Sequence, residues 1–319
     1  AALPAALMFR ASYAFNVAVS RPKPMMLVQV AGLALKIVLN YALIFGRFGL
    51  PRLGVVGCGL ASLIVFWMLF LLGVSYTHLA AGYRRFAIRG AWPRWALLRE
   101  QLHLGIPIGL SYAIESTSFT FMALLVVRLG TSVMGGHQVV ANLAGISYQL
   151  PIALSVATAT LTAQAIGAGN LLRARRVAFT GIRLAVAAAA VTSVTFWTFR
   201  RGVIGLYTDD AAVGGVALSL IGFLVSFHIF DALQGITAFV LRAYRIAVAP
   251  MVVYAVVLWG LGLVGGYTVA FRPVLGGPRG VAGLWLMQSV ALGLTSLLLL
   301  AFYFRVLRQR RPGVESVPP

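Results

Sequence analysis

Apolar runs set the pattern of this chain. Nine stretches are hydrophobic over most of their length: 3–19, 25–45, 54–79, 104–127, 137–164, 177–199, 213–241, 248–271 and 281–304. A helix needs about 20 such residues to cross the hydrocarbon layer of a bilayer. Within that layer each segment must satisfy its own backbone hydrogen bonds, so the runs read as helices. The expected fold is an all-α polytopic membrane protein, its first span short. Between 80 and 102 the pattern changes. Arg84, Arg85, Arg89, Arg94 and Arg99 alternate with apolar positions and with Trp92 and Trp95, which predicts a basic, partly helical linker lying at a membrane surface.

Polar positions inside the runs are few and fall in register. Glu115 lies near the middle of 104–127 and Asp231 lies within 213–241. A carboxylate at that depth costs roughly 2.5 to 3.5 kcal/mol on insertion scales, which makes each a site candidate in search of a partner. Glu115, Phe119 and Met122 share a helix face at i, i+4, i+7, as do Phe227, Asp231 and Gln234. Gln138, Asn142, Gly145 and Gln149 form a polar stripe on 137–164, with Tyr148 at its edge. Such stripes also serve as glue between helices. Two acid-bearing faces and one amide stripe in a single unit predict a water-accessible cavity that exchanges a proton, Na⁺ or an organic cation. Pro107 precedes Glu115 in the same helix and is expected to kink it, either as a static bend or as a hinge. Asp209 and Asp210 precede a helix near Ala211, where one caps it or both attract cations to the cavity mouth.

Composition narrows the class. The 319 residues are 61% hydrophobic and 10% charged, with mean hydropathy +0.94 and net charge +20. A basic balance of that size suggests nucleic acid in a soluble protein. Here the aromatic residues lie inside the spans, so no basic-aromatic strip offers bases a stacking platform. Lys and Arg in the loops instead set orientation, sixteen on one side against seven on the other. The richer side, with the C-terminus, is expected in the cytoplasm. Nine spans then place Ala1 outside, which predicts further spans before it. Glu100 and Glu315 lie among basic residues and read as solvated, while Lys36 and Arg183 lie within spans. Cys58 is the sole cysteine, and His78, His103, His137 and His228 show no metal spacing. No nucleophile with a base is evident, which argues against an enzyme.

An internal repeat organises the spans. At an offset of 226, Pro24-Met25 meets Pro250-Met251, Tyr41 meets Tyr267, Phe45 meets Phe271, Gly54-Val55 meets Gly280-Val281, and Gly57 meets Gly283. The shared Pro, Gly and aromatic anchors favour a duplicated helical unit, an arrangement recurrent in transporters. The expected organisation is 1–79 as the end of a first lobe, 80–102 as linker, 103–304 as a six-helix second lobe and 305–319 as a cytoplasmic tail.

Two segments carry a family resemblance. LNYALIFGRFGLPRLGVVGCGLAS at 39–62 resembles a loop and helix start of the multidrug and toxin extrusion (MATE) transporters of the NorM-like branch, and TAQAIGAGNLLRARR at 162–176 resembles that family's G-x-G-x-x-x-x-A-R signature. The resemblance implies two six-helix lobes, of which the first is incomplete here. It implies export of cationic, aromatic drugs in exchange for Na⁺ or H⁺, with no cofactor, by a monomer in the bacterial inner membrane. It maps the family's cation-site acids onto Glu115 and Asp231 and a nearby tyrosine onto Tyr148. Drug-contacting positions fall on Phe119, Gln138, Asp209 and Asp210; Asn142 and Gln149 join them from the polar stripe. Phe227 stands where some members have a tyrosine. The competing expectations are a flippase for lipid-linked saccharides, which would want cavity-facing Lys or Arg for pyrophosphate, and a membrane enzyme.

Overall fold

The computed structural model describes residues 1–49, 51–80, 83, 94–274 and 277–309. The chain divides into two compact units, Ala1–Pro93 and Arg94–Pro319. Among the described residues every regular element is helical, and eight helices are long and apolar enough to cross a membrane. The chain is a helical polytopic membrane protein. The 17-residue helix α1, Ala2–Ala18, falls just short of that length.

In the first unit, α1 packs with α2 (Pro22–Phe45) and α3 (Val55–Leu79) around Phe9, Met25, Val65 and Leu69. Pro22 starts α2, where its fixed φ suits the first turn and its missing N–H is not needed. Gly46 ends that helix in the left-handed conformation, at φ 69°. The α2–α3 turn closes through a hydrogen bond from Leu53 N–H to Leu43 O at 2.9 Å. Gly57 then lets the helices cross closely, since a Cβ there would stand 2.7 Å from Leu43 O.

The second unit contains α4 (Trp95–Val127), α5 (Thr131–Ser147), α6 (Gln149–Gly167), α7 (Leu171–Thr198), the short α8 (Arg200–Gly205), α9 (Ala211–Ala243), α10 (Val248–Phe271) and α11 (Gly280–Gln309). Helix α9 is the axis of this unit. It packs on α5, α6, α7 and α11 and buries residues on nearly every side over its second half, from Phe227 to Leu241. Leucines such as Leu124, Leu184 and Leu297 are exposed on the outer helix faces, as expected where lipid is the solvent.

The helix of Glu115 is longer than the run 104–127. It begins at Trp95, so Trp95 and Arg99 stand in its first turns. The sequence WALLREQLHL holds strong helix formers and no Gly or Pro, so nothing stops the helix there. Arg84, Arg85, Arg89 and Trp92 lie outside the described residues. The run 137–164 is two helices, broken at Tyr148. Pro151 has no N–H to give Ser147 O, four residues back, so one rung of the ladder is missing at that point. The run 248–271 contains a π-helical stretch, Ala255–Val264. There the N–H of Gly265 reaches back five residues to Gly260 O, and π-turns of this kind gather at functional sites.

The 226-residue repeat is visible in three dimensions. The α10–α11 turn closes through Arg279 N–H to Val269 O at 3.1 Å, the counterpart of Leu53 to Leu43. Gly54 and Gly280 both have φ 54°. Gly283 approaches Val269 and Ala270 as Gly57 approaches Leu43. Tyr41 stacks on Phe45 at 5.6 Å, and Tyr267 on Phe271 at 5.3 Å.

Candidate functional site

A cavity of about 440 Å³ opens in the second unit, within the usual range for a small-molecule site. Helix α4 contributes Tyr112, Glu115, Ser116 and Phe119, which fall on one face by helical spacing. Helix α9 contributes Phe227 and Asp231, one turn apart, α10 and α11 add Leu258, Gln288 and Leu292, and Tyr148 enters from the break between α5 and α6.

Gln234 organises the acids. Its Nε2 donates to Glu115 Oε1 at 3.0 Å and to Asp231 Oδ1 at 3.1 Å. Its Oε1 accepts from the Tyr254 hydroxyl. Gln234 is fully buried and Asp231 nearly so, while Glu115 is half-buried at the cavity wall. One amide thus holds two carboxyl groups from different helices in one place, and a buried tyrosine locks the amide's orientation. A cation entering here meets both carboxylates together, in surroundings where charge-assisted contacts are stronger than in water. Gly235 makes room for the neighbouring phenol, because a Cβ there would stand 3.0 Å from the Tyr148 hydroxyl.

Phe119 and Phe227 bring aromatic rings to the cavity wall, and Trp285 packs against both from behind. Phe119, Phe227 and Trp285 meet edge to face, with centroids 5.6, 6.0 and 5.5 Å apart. Trp285 is fully buried, and its indole N–H donates to His137 Nδ1 at 3.2 Å. Ser118 sits between two neighbours: its hydroxyl reaches Leu258 O at 3.4 Å and receives Gln288 Nε2 at 3.5 Å. At the rim, Arg242 donates to the Tyr112 hydroxyl at 2.9 Å and stacks on Tyr112 and Phe239.

Of the residues singled out from the sequence, the cavity gathers Glu115, Phe119, Tyr148 and Asp231. It does not gather Gln138, Asn142, Gln149, Asp209 or Asp210, all of which are exposed. Asn142 accepts from the Tyr207 hydroxyl at 2.8 Å. Gln149 donates across the break to Gly145 O of α5 at 3.4 Å. Asp210 caps α9 through Ala212 N–H at 2.8 Å and Val213 N–H at 3.3 Å, so its carboxylate is engaged by the helix end. Pro107 lies buried inside α4, two turns before Glu115, and its carbonyl accepts from Ser111. Arg183 is exposed, and His228 lies 3.4 Å from the Ser147 hydroxyl. Among the described residues no three His, Cys, Asp or Glu side chains converge.

Gln234 and Tyr254 stand with the two acids in the structure, a link that spacing alone does not reveal. Gln234 was visible on the face of Asp231, but its reach to another helix was not. Tyr254 carried one signal: a tyrosine hydroxyl inside an apolar run needs an acceptor.

Known proteins supply the context for this geometry. A probable multidrug resistance protein NorM of Aromatoleum aromaticum is 41% identical over 317 residues, covering 98% of this chain and 68% of that one. Multidrug resistance protein PmpM of Pseudomonas aeruginosa is 34% identical over 294 residues, covering 92% and 61%. The chain therefore spans about two thirds of the length of such relatives. Among solved structures, the eukaryotic MATE transporter AtDTX14 superposes with TM-score 0.84 at 23% identity, over 93% of this chain and 65% of that one. The Vibrio cholerae MATE transporter VcmN superposes with TM-score 0.82 at 16% identity, over 96% and 67%. The MatE family profile matches residues 107–268, the segment holding Glu115, Tyr148, Asp231, Gln234 and Tyr254, and with the 41% identity to a NorM protein it establishes that this chain belongs to the MatE family.

Proposed function

We propose that the parent of this chain is a multidrug efflux antiporter. It exports cationic, aromatic compounds and admits Na⁺ or H⁺ in exchange, by alternating access. The bridging of Glu115 and Asp231 by one amide, in a cavity also lined by Phe119 and Phe227, carries this reading. An aromatic cation finds ring faces for its scaffold and carboxylates for its charge. Na⁺ or a proton needs the same carboxylates, so the drug and the coupling ion exclude one another. That competition is sufficient to link their movements in opposite directions. Tyr148 completes the ion site, and Pro107, which leaves His103 O without its usual helical donor, supplies the hinge of α4. Gln138, Asn142, Gln149, Asp209 and Asp210 contact drug along its path outside this cavity. The protein acts as a monomer in the bacterial inner membrane with its C-terminus in the cytoplasm, and the chemistry is transport and not catalysis. Among the described residues that line the cavity none is Lys or Arg, with Arg242 at the rim, which disfavours a pyrophosphate-linked saccharide as cargo.

The test is ethidium efflux from cells expressing the full-length parent, after separate Na⁺ and pH jumps. Glu115→Gln and Asp231→Asn are each expected to abolish the jump-driven component for the coupling ion. Undiminished efflux in both variants would remove the site.

A further inference from the structure

Both ends of the Gln234 amide are committed. Its Nε2 donates to Glu115 Oε1 at 3.0 Å and to Asp231 Oδ1 at 3.1 Å, while its Oε1 accepts from the Tyr254 hydroxyl. Gln234 and Tyr254 are both fully buried, so solvent does not replace these partners. Among the described residues Gln234 is the one hydrogen-bond partner of the Tyr254 hydroxyl. A phenol has a single hydrogen to give, and only the carbonyl end of an amide can take it. Tyr254 therefore holds the amide with its carbonyl turned away from the acids and its NH₂ turned toward them.

That orientation matters to a small cation. Hard cations take oxygen ligands, amide carbonyls among them. Toward Glu115 and Asp231, however, Gln234 presents hydrogens, which a cation avoids. Half a turn about the last side-chain bond would bring Oε1 to the place of Nε2, beside both carboxyl groups. The same turn would set NH₂ against the Tyr254 hydroxyl and leave the phenol hydrogen without an acceptor, which is costly in a buried place. Tyr254 thus opposes the one rearrangement that adds an amide oxygen to the ion site. The hydroxyl is not a requirement of the hairpin. Tyr254 is the last residue before the π-helical stretch of α10. At the 226-residue offset its counterpart in α2 is Val28, half-buried against the core of the first unit, so the related hairpin is built with no hydroxyl at that position.

We propose that Tyr254 is a positioning residue that sets ion affinity: by holding the Gln234 carbonyl away from Glu115 and Asp231, it keeps their grip on Na⁺ weak. The proposal rests on the reading of these two acids as the coupling-ion site. A weakly held ion gives way when a drug arrives, whereas a tightly held one resists exchange. The drug is less affected, because Gln234 stands behind the acids and does not itself line the cavity.

The experiment measures ²²Na⁺ binding to the purified full-length parent in detergent, at fixed pH, with choline holding the ionic strength. No transport is required. Tyr254→Phe keeps the ring, removes the hydroxyl, and is expected to tighten Na⁺ binding about tenfold, the size of one buried hydrogen bond. A residue that only supported the fold would loosen the site when cut back, so the sign of the change separates the two roles. In a Gln234→Met background, which has no carbonyl to turn, Tyr254→Phe is expected to alter Na⁺ binding by less than about twofold. Gln234→Glu keeps an acceptor for Tyr254 and sets an oxygen where Nε2 stood. It is expected to tighten Na⁺ as well, and it keeps the proposal testable should Tyr254→Phe fail to fold. Unchanged or weaker Na⁺ binding in Tyr254→Phe, equal tightening in the Met background, or no tightening in Gln234→Glu overturns the proposal. Tightening that survives Glu115→Gln, Asp231→Asn places Na⁺ elsewhere and overturns the site reading with it. Ethidium export by cells tests the efflux reading separately, and its failure leaves the Na⁺ comparison standing on its own.

Discussion

The hairpins α2–α3 and α10–α11 keep the same turn and differ in what they place beside a cavity. Leu53 and Arg279 close the two turns on Leu43 and Val269, and Gly57 and Gly283 allow the two close crossings. Yet α2 is α-helical throughout, whereas α10 passes through a π-helical stretch. That stretch offers Leu258 O to Ser118 and brings the Trp259 indole to Ile114 O at 3.2 Å, tying α10 to the helix of Glu115. Lys36 faces one cavity while Gln288, Glu115 and Asp231 face the other. What both copies retain is the means of holding two helices together. What has diverged is the polar lining, an ammonium in one cavity and an amide with two carboxyl groups in the other.

The sharpest way to break this contrast is at Gln234, which has no role in the first hairpin. Gln234→Leu removes the amide shared by Glu115 and Asp231 and leaves the buried Tyr254 hydroxyl without its acceptor. The expected result is loss of most drug efflux and a lower thermal midpoint in detergent, since each unsatisfied buried polar group costs about 1 to 3 kcal/mol. Gln234→Glu keeps an acceptor for Tyr254 and should retain stability better than Leu while still impairing efflux.

The shared crossings come next. At Gly57 an added Cβ meets backbone, Leu43 O at 2.7 Å, while at Gly283 the nearest atoms stand at 3.1 Å. Gly57→Ala is expected to destabilise by about 1 to 3 kcal/mol, as overpacking against an unyielding neighbour does, and Gly283→Ala by less. Equal midpoints for the two variants would contradict the packing assigned to these turns.

The smallest effect concerns Gly262 and Gln288. Gly262→Ala displaces Gln288, the mobile end of a side chain, and should cost about 1 kcal/mol through its weakened bond to Ser118. In a Gln288→Ser background, which copies the short Ser62 of the first hairpin, that cost should shrink to what the Ala291 Cβ at 3.3 Å imposes. A double-mutant cycle in thermal stability reads the coupling directly, and additive effects would show that the two residues do not compete for one space.

Much of this was legible in sequence, for physical reasons that differ from residue to residue. Hydrocarbon admits only helices and closed barrels, and continuous apolar runs of about 20 residues suit the helix, so apolar length announced the helices. Glu115 and Asp231 stood out because a carboxyl inside such a run is costly. The repeat showed in Gly57 and Gly283 because close crossings admit only glycine. Helix breaks were harder to read. Pro151 acts on the carbonyl of Ser147, and the resulting interruption at Tyr148 leaves no mark in hydropathy. The π-helical stretch changes hydrogen bonding without changing polarity. The polar stripe running from α5 into α6 is only partly gathered by the cavity, because helical spacing assigns residues to a face but not to a cavity: Gln138, Asn142 and Gln149 are exposed, and Asn142 is taken up by Tyr207. Spacing set Gln234 on the face of Asp231 but not against Glu115, which lies 119 residues away.

The central claim is that drug and coupling ion compete for the two carboxyl groups held by Gln234. It is tested most directly by adding ethidium to the purified full-length parent in weakly buffered detergent solution and recording ion release with a pH indicator and, in a parallel sample, with ²²Na⁺. Ethidium should release protons or Na⁺ from the wild type, and the release should disappear in the Glu115→Gln, Asp231→Asn double variant. Ethidium binding to the wild type without release of either ion would contradict the account.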